Sequence, residues 1–494
     1  MDFTSTRSKQ SITAAQAITK GLSSDGGLFV PTSFPQFSSA EIDELINLDY
    51  KARAVNVLKK YLTDFTDDEI KYCVEGAYTN KFDDDIPAPL VEVAKGENIL
   101  ELWHGPTCAF KDMALQLLPY LLTTSAKKVA KGKTMVILVA TSGDTGKAAL
   151  DGFADVEDTK IIVFYPEDGV SPMQKLQMTT QGGNNVAVCA IKGNFDDAQT
   201  GVKTIFSDKA FAKYLEDKNM EFSSANSINF GRLVPQVVYY VSAYCDLVKE
   251  GKINKGDSFN VVVPTGNFGN ILAAYYAKQM GIPVGKLICA SNKNNVLTDF
   301  INSGKYDKKR EFFATSSPSM DILISSNLER LLYEVYDHNE EKIAELMTSL
   351  NEKGEYTISD DVKAKISAEF YGGYADEKAT AEVISEMFSK YNYLCDTHTA
   401  VAIKVYNDYV KDTGDNTVTV IASTASPYKF SHSVLPCVTN DSLPTDEFET
   451  VEMLNKVTGA KIPKSLDELR SKPVLHKTTV EKEQMSDFIK SFLG

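Results

Sequence analysis

The residue types that chemistry needs are concentrated in one stretch, Leu102–Gln116, which reads Leu-Trp-His-Gly-Pro-Thr-Cys-Ala-Phe-Lys-Asp-Met-Ala-Leu-Gln. It holds the only tryptophan in the chain and one of its five histidines. Lys111 stands at its centre, where the helical pattern Met113, Leu117, Leu118, Leu121 begins, and Gly105 and Pro106 break the chain just before. A cation in the first turn of a helix faces the positive end of the helix dipole. Desolvated among Trp103, Phe110 and Met113, such an ammonium loses its proton more easily and leaves a nucleophilic amine. A lone lysine also reads as an apolar stem with a wet head, and for a single residue that plainer reading is the commoner one.

Two further stretches join an apolar strand to a helix through glycines and hydroxyl or amide side chains. In Gly266-Asn-Phe-Gly-Asn270 the glycines let the backbone turn tightly and bring an anion to the amides, which makes a phosphate cradle on a helix N-terminus. The loop lacks the Gly-Lys-Ser/Thr of a Walker loop and the three spaced glycines of a dinucleotide fingerprint. A tight turn without a ligand fits the same composition. Ser142-Gly-Asp-Thr-Gly146 is a second cradle, with Ser142 and Thr145 as donors. Asp144 would repel an anion there unless its carboxylate caps the helix that follows. Asn226-Ser-Ile-Asn-Phe-Gly-Arg232 adds amides and a guanidinium, the group for bidentate grip on phosphate or carboxylate. A surface arginine at a helix start is the alternative.

The elements that position these stretches follow from periodicity. Residues 1–85 read as a mostly helical unit, with Ile42, Leu45, Ile46 and Val55, Leu58, Tyr61, Leu62 at helical spacing. The acidic, proline-containing Phe82–Leu90 reads as a linker. Residues 86–295 alternate strands and helices: strands at Thr134–Ala140, Ile161–Tyr165, Asn185–Ile191, Phe259–Val263 and Leu287–Ala290, with helices at Lys147–Phe153, from Pro172, from Phe195, at Ser227–Leu247 and at Ile271–Met280. Residues 296–415 are helix-rich, as in Asn327–Tyr336 and Glu340–Leu350. Residues 416–494 return to the core through a strand at Thr417–Ala422 and end in an amphipathic helix, Val480–Leu493. Strands alternating with helices predict an α/β fold of parallel sheets with helices on both faces, ligands sitting beyond the carboxyl ends of the strands.

Composition sets the outer limits. The 494 residues suffice for about three domains, or two large ones, and 43% hydrophobic content supplies substantial cores. A formal charge of −15 argues against nucleic acid or an anionic membrane as partner, and no apolar run reaches membrane-spanning length. Seven scattered cysteines without a Cys-x-x-Cys pair predict a reducing compartment and no structural zinc. With no hydrophobic signal core at the N-terminus, the expectation is a cytoplasmic protein.

Taken together, these stretches resemble the threonine synthases, fold-type II pyridoxal-phosphate enzymes with a tryptophan synthase β-like fold, in their longer bacterial and fungal form. His104-Gly-Pro-Thr-Cys-Ala-Phe-Lys-Asp112 is similar to that family's lysine motif, which implies Lys111 as the Schiff-base lysine. Thr265-Gly-Asn-Phe-Gly-Asn270 resembles the cofactor-phosphate loop, implying Gly266, Asn267, Phe268, Gly269 and Asn270 as cofactor contacts. Ala422-Ser-Thr-Ala-Ser-Pro-Tyr-Lys-Phe430 resembles the segment whose threonine faces the pyridine nitrogen, here Thr424. Ser142, Asp144, Thr145, Asn226, Ser227 and Arg232 look like the family's contacts to substrate phosphate and carboxylate, which implies them as the substrate-binding residues. Ser5-Thr-Arg7, Asp25-Gly-Gly-Leu28 and Pro318-Ser-Met-Asp-Ile322 are similar to its wider signature. Two departures stand out: Ser8, where glycine is usual, and Thr397 of Asp396-Thr-His-Thr-Ala400, where proline is common.

The resemblance implies pyridoxal 5'-phosphate as cofactor, O-phospho-L-homoserine and water as substrates, and L-threonine and phosphate as products. In this reading Lys111 also serves as the mobile base. A neutral hydroxyl at Thr424 would not hold the ring nitrogen protonated. No metal site is expected; His398 and Asp396 read as a structural pair. The expected assembly is a monomer or homodimer. Alternatives are a phospho-lyase of the same fold giving 2-oxobutyrate, a simpler fold-type II enzyme such as a cysteine synthase or amino-acid dehydratase, and a non-catalytic homologue. The N-terminal unit and the Arg232 segment argue against the simpler enzymes, and the presence of Lys111 argues against the non-catalytic form.

Overall fold

The computed structural model describes all residues except Asp84, Asp85, Ser142 and Gly169, together with the side chains of Phe195 and Asp196 left aside. Two sheets organise the described chain. The first runs Phe370–Tyr374, Val284–Ser291, Phe259–Pro264, Thr419–Ser423, Glu97–Glu101, Leu90–Ala94, parallel throughout except at the last strand. The second is wholly parallel and runs Thr479–Glu481, Val186–Lys192, Thr159–Pro166, Thr134–Ala140, Met220–Ser223. Val262, Val263, Ile137 and Leu138 are completely buried. Sheets covered on both faces need such unbroken apolar runs rather than alternation.

The helices cover both sheets. Phe230–Lys249 is buried along nearly its whole length and packs against Tyr50–Tyr61, Ser39–Asn47 and Gly269–Gln279. Its burial explains why the first helices of the chain dock firmly. Arg53 reaches across to Asp246 at 2.6 Å and to the Ser242 hydroxyl at 2.8 Å, so a buried cation is paired rather than stranded. Phe3 and Tyr61 pack their rings on Phe230. At the extreme N-terminus Arg7 grips Glu329 with two hydrogen bonds, 2.8 and 2.7 Å. Ser8 spends its hydroxyl on Asp25. Among the described residues no helix is long and apolar enough to cross a membrane.

Several elements differ from the sequence-based expectation. The stretch expected to be a linker leads directly into a strand pair, Leu90–Ala94 with Glu97–Glu101, joined at Lys95 and Gly96. Phe370–Tyr374 is a strand inside the helix-rich region, and its two glycines lie against Ile301, Thr298 and Val405. The tail is not one helix. Thr479–Glu481 adds an edge strand beside Val186–Lys192, and the helix covers only Met485–Leu493. The long helix starts at Phe230 instead of Ser227, because Asn229 accepts the amide of Gly231 at 2.9 Å and caps it there. Asn226, Ser227 and Ile228 are thereby left in the preceding loop.

Candidate active site

Lys111 lies at the seam between the sheets. Its loop is a tight turn: Asp112 accepts the Thr107 amide at 2.8 Å and the Thr107 hydroxyl at 2.6 Å. A Cβ on Gly105 would stand 2.5 Å from Asp112 Cβ, so only glycine allows this closure. Burial pushes the Asp112 carboxyl up to about 7. The helix after Lys111 is a single turn, Asp112–Leu115, before a second begins at Leu118. The expected continuous helix is therefore broken, and its dipole at Lys111 is short.

The lysine is nonetheless an unusual one. It is 8% exposed, and its ammonium sits 4.8 Å from the Phe110 ring centroid. Nζ lies 3.4 Å from Asp144 Oδ2 and 3.3 Å from Ser319 Oγ. Burial lowers its proton affinity; Asp144 opposes this, and the charges of Arg232 and Lys429 add to the lowering.

Asp144 does not cap its helix. Gly143 occupies the cap position and the carboxylate turns inward. Oδ1 meets Lys429 Nζ at 2.6 Å and Gln174 Nε2 at 2.9 Å, while Oδ2 faces Lys111 and Ser319. Burial alone would raise this carboxyl; Lys429 and Lys111 outweigh it and hold it well below the ordinary carboxylate range.

Two strand ends bring Thr424 to the same place. Glu97–Glu101 and Thr419–Ser423 run side by side. Beyond them Phe110 N donates to Thr424 O at 2.8 Å and Ser426 N to Cys108 O at 3.1 Å. Cys108 takes a positive φ of 57° to make that crossing.

Arg232 is 5% exposed, donating to Ala225 O at 2.9 Å and reaching Thr145 Oγ1 at 3.5 Å. Among the described residues it has no carboxylate partner, and burial lowers it to about 10. A buried guanidinium without an anion is costly unless an anionic ligand completes it. Ser142 lies outside the described residues. Asn226 is half-buried in the loop before Arg232, and Ser227 stands 3.8 Å from the Cβ position of Gly269, nearer the glycine loop than Arg232's own contacts suggest.

The glycine loop opens the helix Gly269–Gln279. Phe268 adopts the left-handed conformation at φ 64° and packs its ring on Phe370, leaving its backbone to the loop. A Cβ on Gly266 would lie 2.8 Å from Ser319 O, so the loop, Ser319 and Lys111 are consecutive neighbours. Asn267 is exposed, and its carbonyl accepts both amides of Asn327. Asn270 accepts the hydroxyls of Tyr239 and Tyr240, but among the described residues its buried Nδ2 has no partner. An orphaned donor beside the open amides of a helix start suits a phosphate. A buried amine and an anion cradle, with the hydroxyl residue Thr424 held beside the lysine turn, together fit pyridoxal phosphate.

Sequence reasoning passed over Ser319, Lys429 and Gln174. The first two lie inside stretches that the resemblance had marked without giving them a role; Gln174 carried no signal.

The fold defines the class: the family model of the pyridoxal-phosphate-dependent enzymes matches residues 87–424, and the chain is a fold-type II member of that class. The models for the threonine synthase N terminus and C-terminal region match residues 2–78 and 399–488. Threonine synthase of Pseudomonas aeruginosa is 37% identical, covering 88% of this chain and 90% of its own. The crystal structure of pyridoxal-phosphate-bound threonine synthase from Brucella melitensis is 35% identical with a TM-score of 0.88, covering 100% and 99% of the two chains. Human threonine synthase-like 1 is 38% identical over 96% of this chain, which spans 63% of that relative's length. The chain belongs to the threonine synthase family.

Proposed function

We propose that this chain is a threonine synthase, converting O-phospho-L-homoserine and water to L-threonine and phosphate with pyridoxal phosphate held at Lys111. The observation that carries the reading is the buried Arg232, which has no carboxylate partner among the described residues, lies close enough to Lys111 for its charge to lower the amine's proton affinity, and is joined through Thr145 to the helix that carries Asp144. A cation in that place asks for a substrate with an anionic end.

When bound, pyridoxal phosphate supplies an aldehyde for amines and a ring that accepts electrons from the substrate carbon. Its phosphate would be held by the Gly266, Asn267, Phe268 and Gly269 backbone with Asn270, and its ring nitrogen by the Thr424 hydroxyl. Lys111 would carry it and, once displaced by the substrate amine, hold and return protons at Nζ. Burial favours that role, since it keeps the amine easily deprotonated. Arg232, Thr145, Ser142, Asn226 and Ser227 would grip the phosphate and carboxylate of the substrate through their donor groups. Asp144 fits less well as a substrate contact. Its carboxylate is already bonded to Lys429 at 2.6 Å and faces Lys111 at 3.4 Å.

We also place the protein in the cytoplasm, as a monomer or homodimer. Seven cysteines, all present as thiols, fit a reducing compartment.

The test is to supply phosphohomoserine and assay phosphate, threonine and 2-oxobutyrate together. Equal phosphate and threonine is the expected result. Phosphate with 2-oxobutyrate instead would make the protein a phospho-lyase on the same scaffold.

A further inference from the structure

Lys429 has no part in the chemistry above, yet it is among the most buried charges in the molecule. Its side chain is 0% exposed within the turn Pro427–Phe430. Nζ meets Asp144 Oδ1 at 2.6 Å and donates to Thr107 O at 2.9 Å. The first is a short charge-assisted bond, whereas Lys111 stands 3.4 Å from the other oxygen of the same carboxylate. Thr107 belongs to the turn that presents Lys111. Gln177 Nε2 also donates to that carbonyl, at 3.3 Å.

One buried carboxylate thus faces two lysines and is bonded closely to only one. Lys111 is faced by Asp144 and, at longer range, by the cations of Arg232 and Lys429; Ser319 and the Phe110 ring also border it. Asp112, the other buried acid of the loop, is turned to Thr107. Were Lys429 neutral, Asp144 would have Lys111 as its remaining close cation. A buried Lys–Asp pair would then form, and an amine locked in such a pair stays protonated and unreactive.

We propose that Lys429 is a positioning residue: it holds Asp144 as its own ion partner and thereby leaves the Lys111 amine free to engage the cofactor. The proposal rests on the reading that Lys111 is the lysine that takes the cofactor. Because Lys429 binds Asp144 and Thr107 at once, it also fixes the lysine turn against the Asp144 helix.

The experiment follows uptake of pyridoxal phosphate by the cofactor-free protein, through its visible absorbance, across pH. Wild type is compared with Lys429→Met, Lys429→Arg, Asp144→Asn and the double variant Lys429→Met/Asp144→Asn, each checked for native circular dichroism. Lys429→Met should take up the cofactor about tenfold more slowly near neutral pH and recover as pH rises, with its whole profile displaced upward. Lys429→Arg, which keeps the charge, should behave as wild type. In the double variant the Lys429 effect should shrink to its direct, longer-range repulsion of Lys111, since its carboxylate target is gone.

An unchanged profile in Lys429→Met, or effects that simply add in the double variant, would overturn the role of Lys429. If Lys429→Met does not fold, Asp144→Asn decides. It removes the one carboxylate that faces Lys111 among the described residues and must displace the profile downward; no displacement overturns the proposal. Failure of wild type to take up cofactor at any pH would instead overturn the Lys111 reading itself.

Discussion

His398 accepts the backbone N–H of Ser319 on Nε2 at 3.2 Å, and the hydroxyl of that serine lies 3.3 Å from Lys111 Nζ. The other ring nitrogen, Nδ1, is 2.6 Å from Asp396 Oδ2, which makes Nδ1 the donor and Nε2 the acceptor. One residue earlier, Thr397 donates its hydroxyl to Ser316 O at 2.7 Å. The first turn of the helix Thr397–Thr413 therefore clamps the Ser316–Ser319 segment at both ends, over the lysine. Proline, common at this place in the family the chain resembles, could not supply the Thr397 bond.

Replacing His398 with Phe should strand the Ser319 amide, at a stability cost of about 1–3 kcal/mol. With Ser319 no longer fixed, the cofactor should be held less tightly. Equilibrium dialysis and denaturant unfolding of the variant check both; wild-type cofactor affinity would show that the clamp does not reach the site.

Arg232→Ala should raise KM for phosphohomoserine about 10- to 100-fold, the worth of a lost hydrogen bond to a charged group. The effect on kcat should be smaller. Steady-state kinetics decide, and unchanged KM and kcat would remove Arg232 from the substrate site.

Lys111→Met should abolish turnover and leave the fold intact. Its effect on stability carries a sign. The native amine is depressed below the ordinary lysine value, so in the pH window between the two the unfolded chain binds the extra proton. The penalty of burying Lys111 is then greatest below the depressed value and fades as pH rises to about 10.4, the unfolded lysine value. The gain from Lys111→Met should follow the same course, larger at neutral pH than at pH 10. Denaturation midpoints at the two pH values measure it; a gain that grows with pH contradicts the depression.

Gly266→Ala should displace the Ser319 turn, since the added Cβ meets Ser319 O at 2.8 Å. Overpacking of this kind costs about 1–3 kcal/mol. Cofactor retention on gel filtration should fall. Full retention would place the phosphate elsewhere.

The lysine, the glycine loop and most core strands were legible in the sequence because each is a local pattern. Thr134–Ala140 is a β-branched run, and Gly266–Asn270 carries its own turn chemistry. What escaped depends on distant segments meeting. Ser319 is 208 residues from Lys111, and Lys429 reaches Asp144 from the far side of the chain. For Asp144 a local rule can offer only a helix cap, whereas its partners Lys429 and Gln174 come from distant segments. The helix expected from Val480 has its apolar spacing only from Met485 onward, and the open edge at Val186–Lys192, a distant segment, is what makes Thr479–Glu481 a strand.

The central claim is that Lys111, and no other lysine, carries the cofactor. Two buried lysines share Asp144, so the claim can fail in a specific way. Cofactor-loaded protein should be reduced with borohydride, digested, and searched by mass spectrometry for the pyridoxyl group. The account predicts the label on the peptide containing Lys111. A label on Lys429, or on any other lysine, would contradict it.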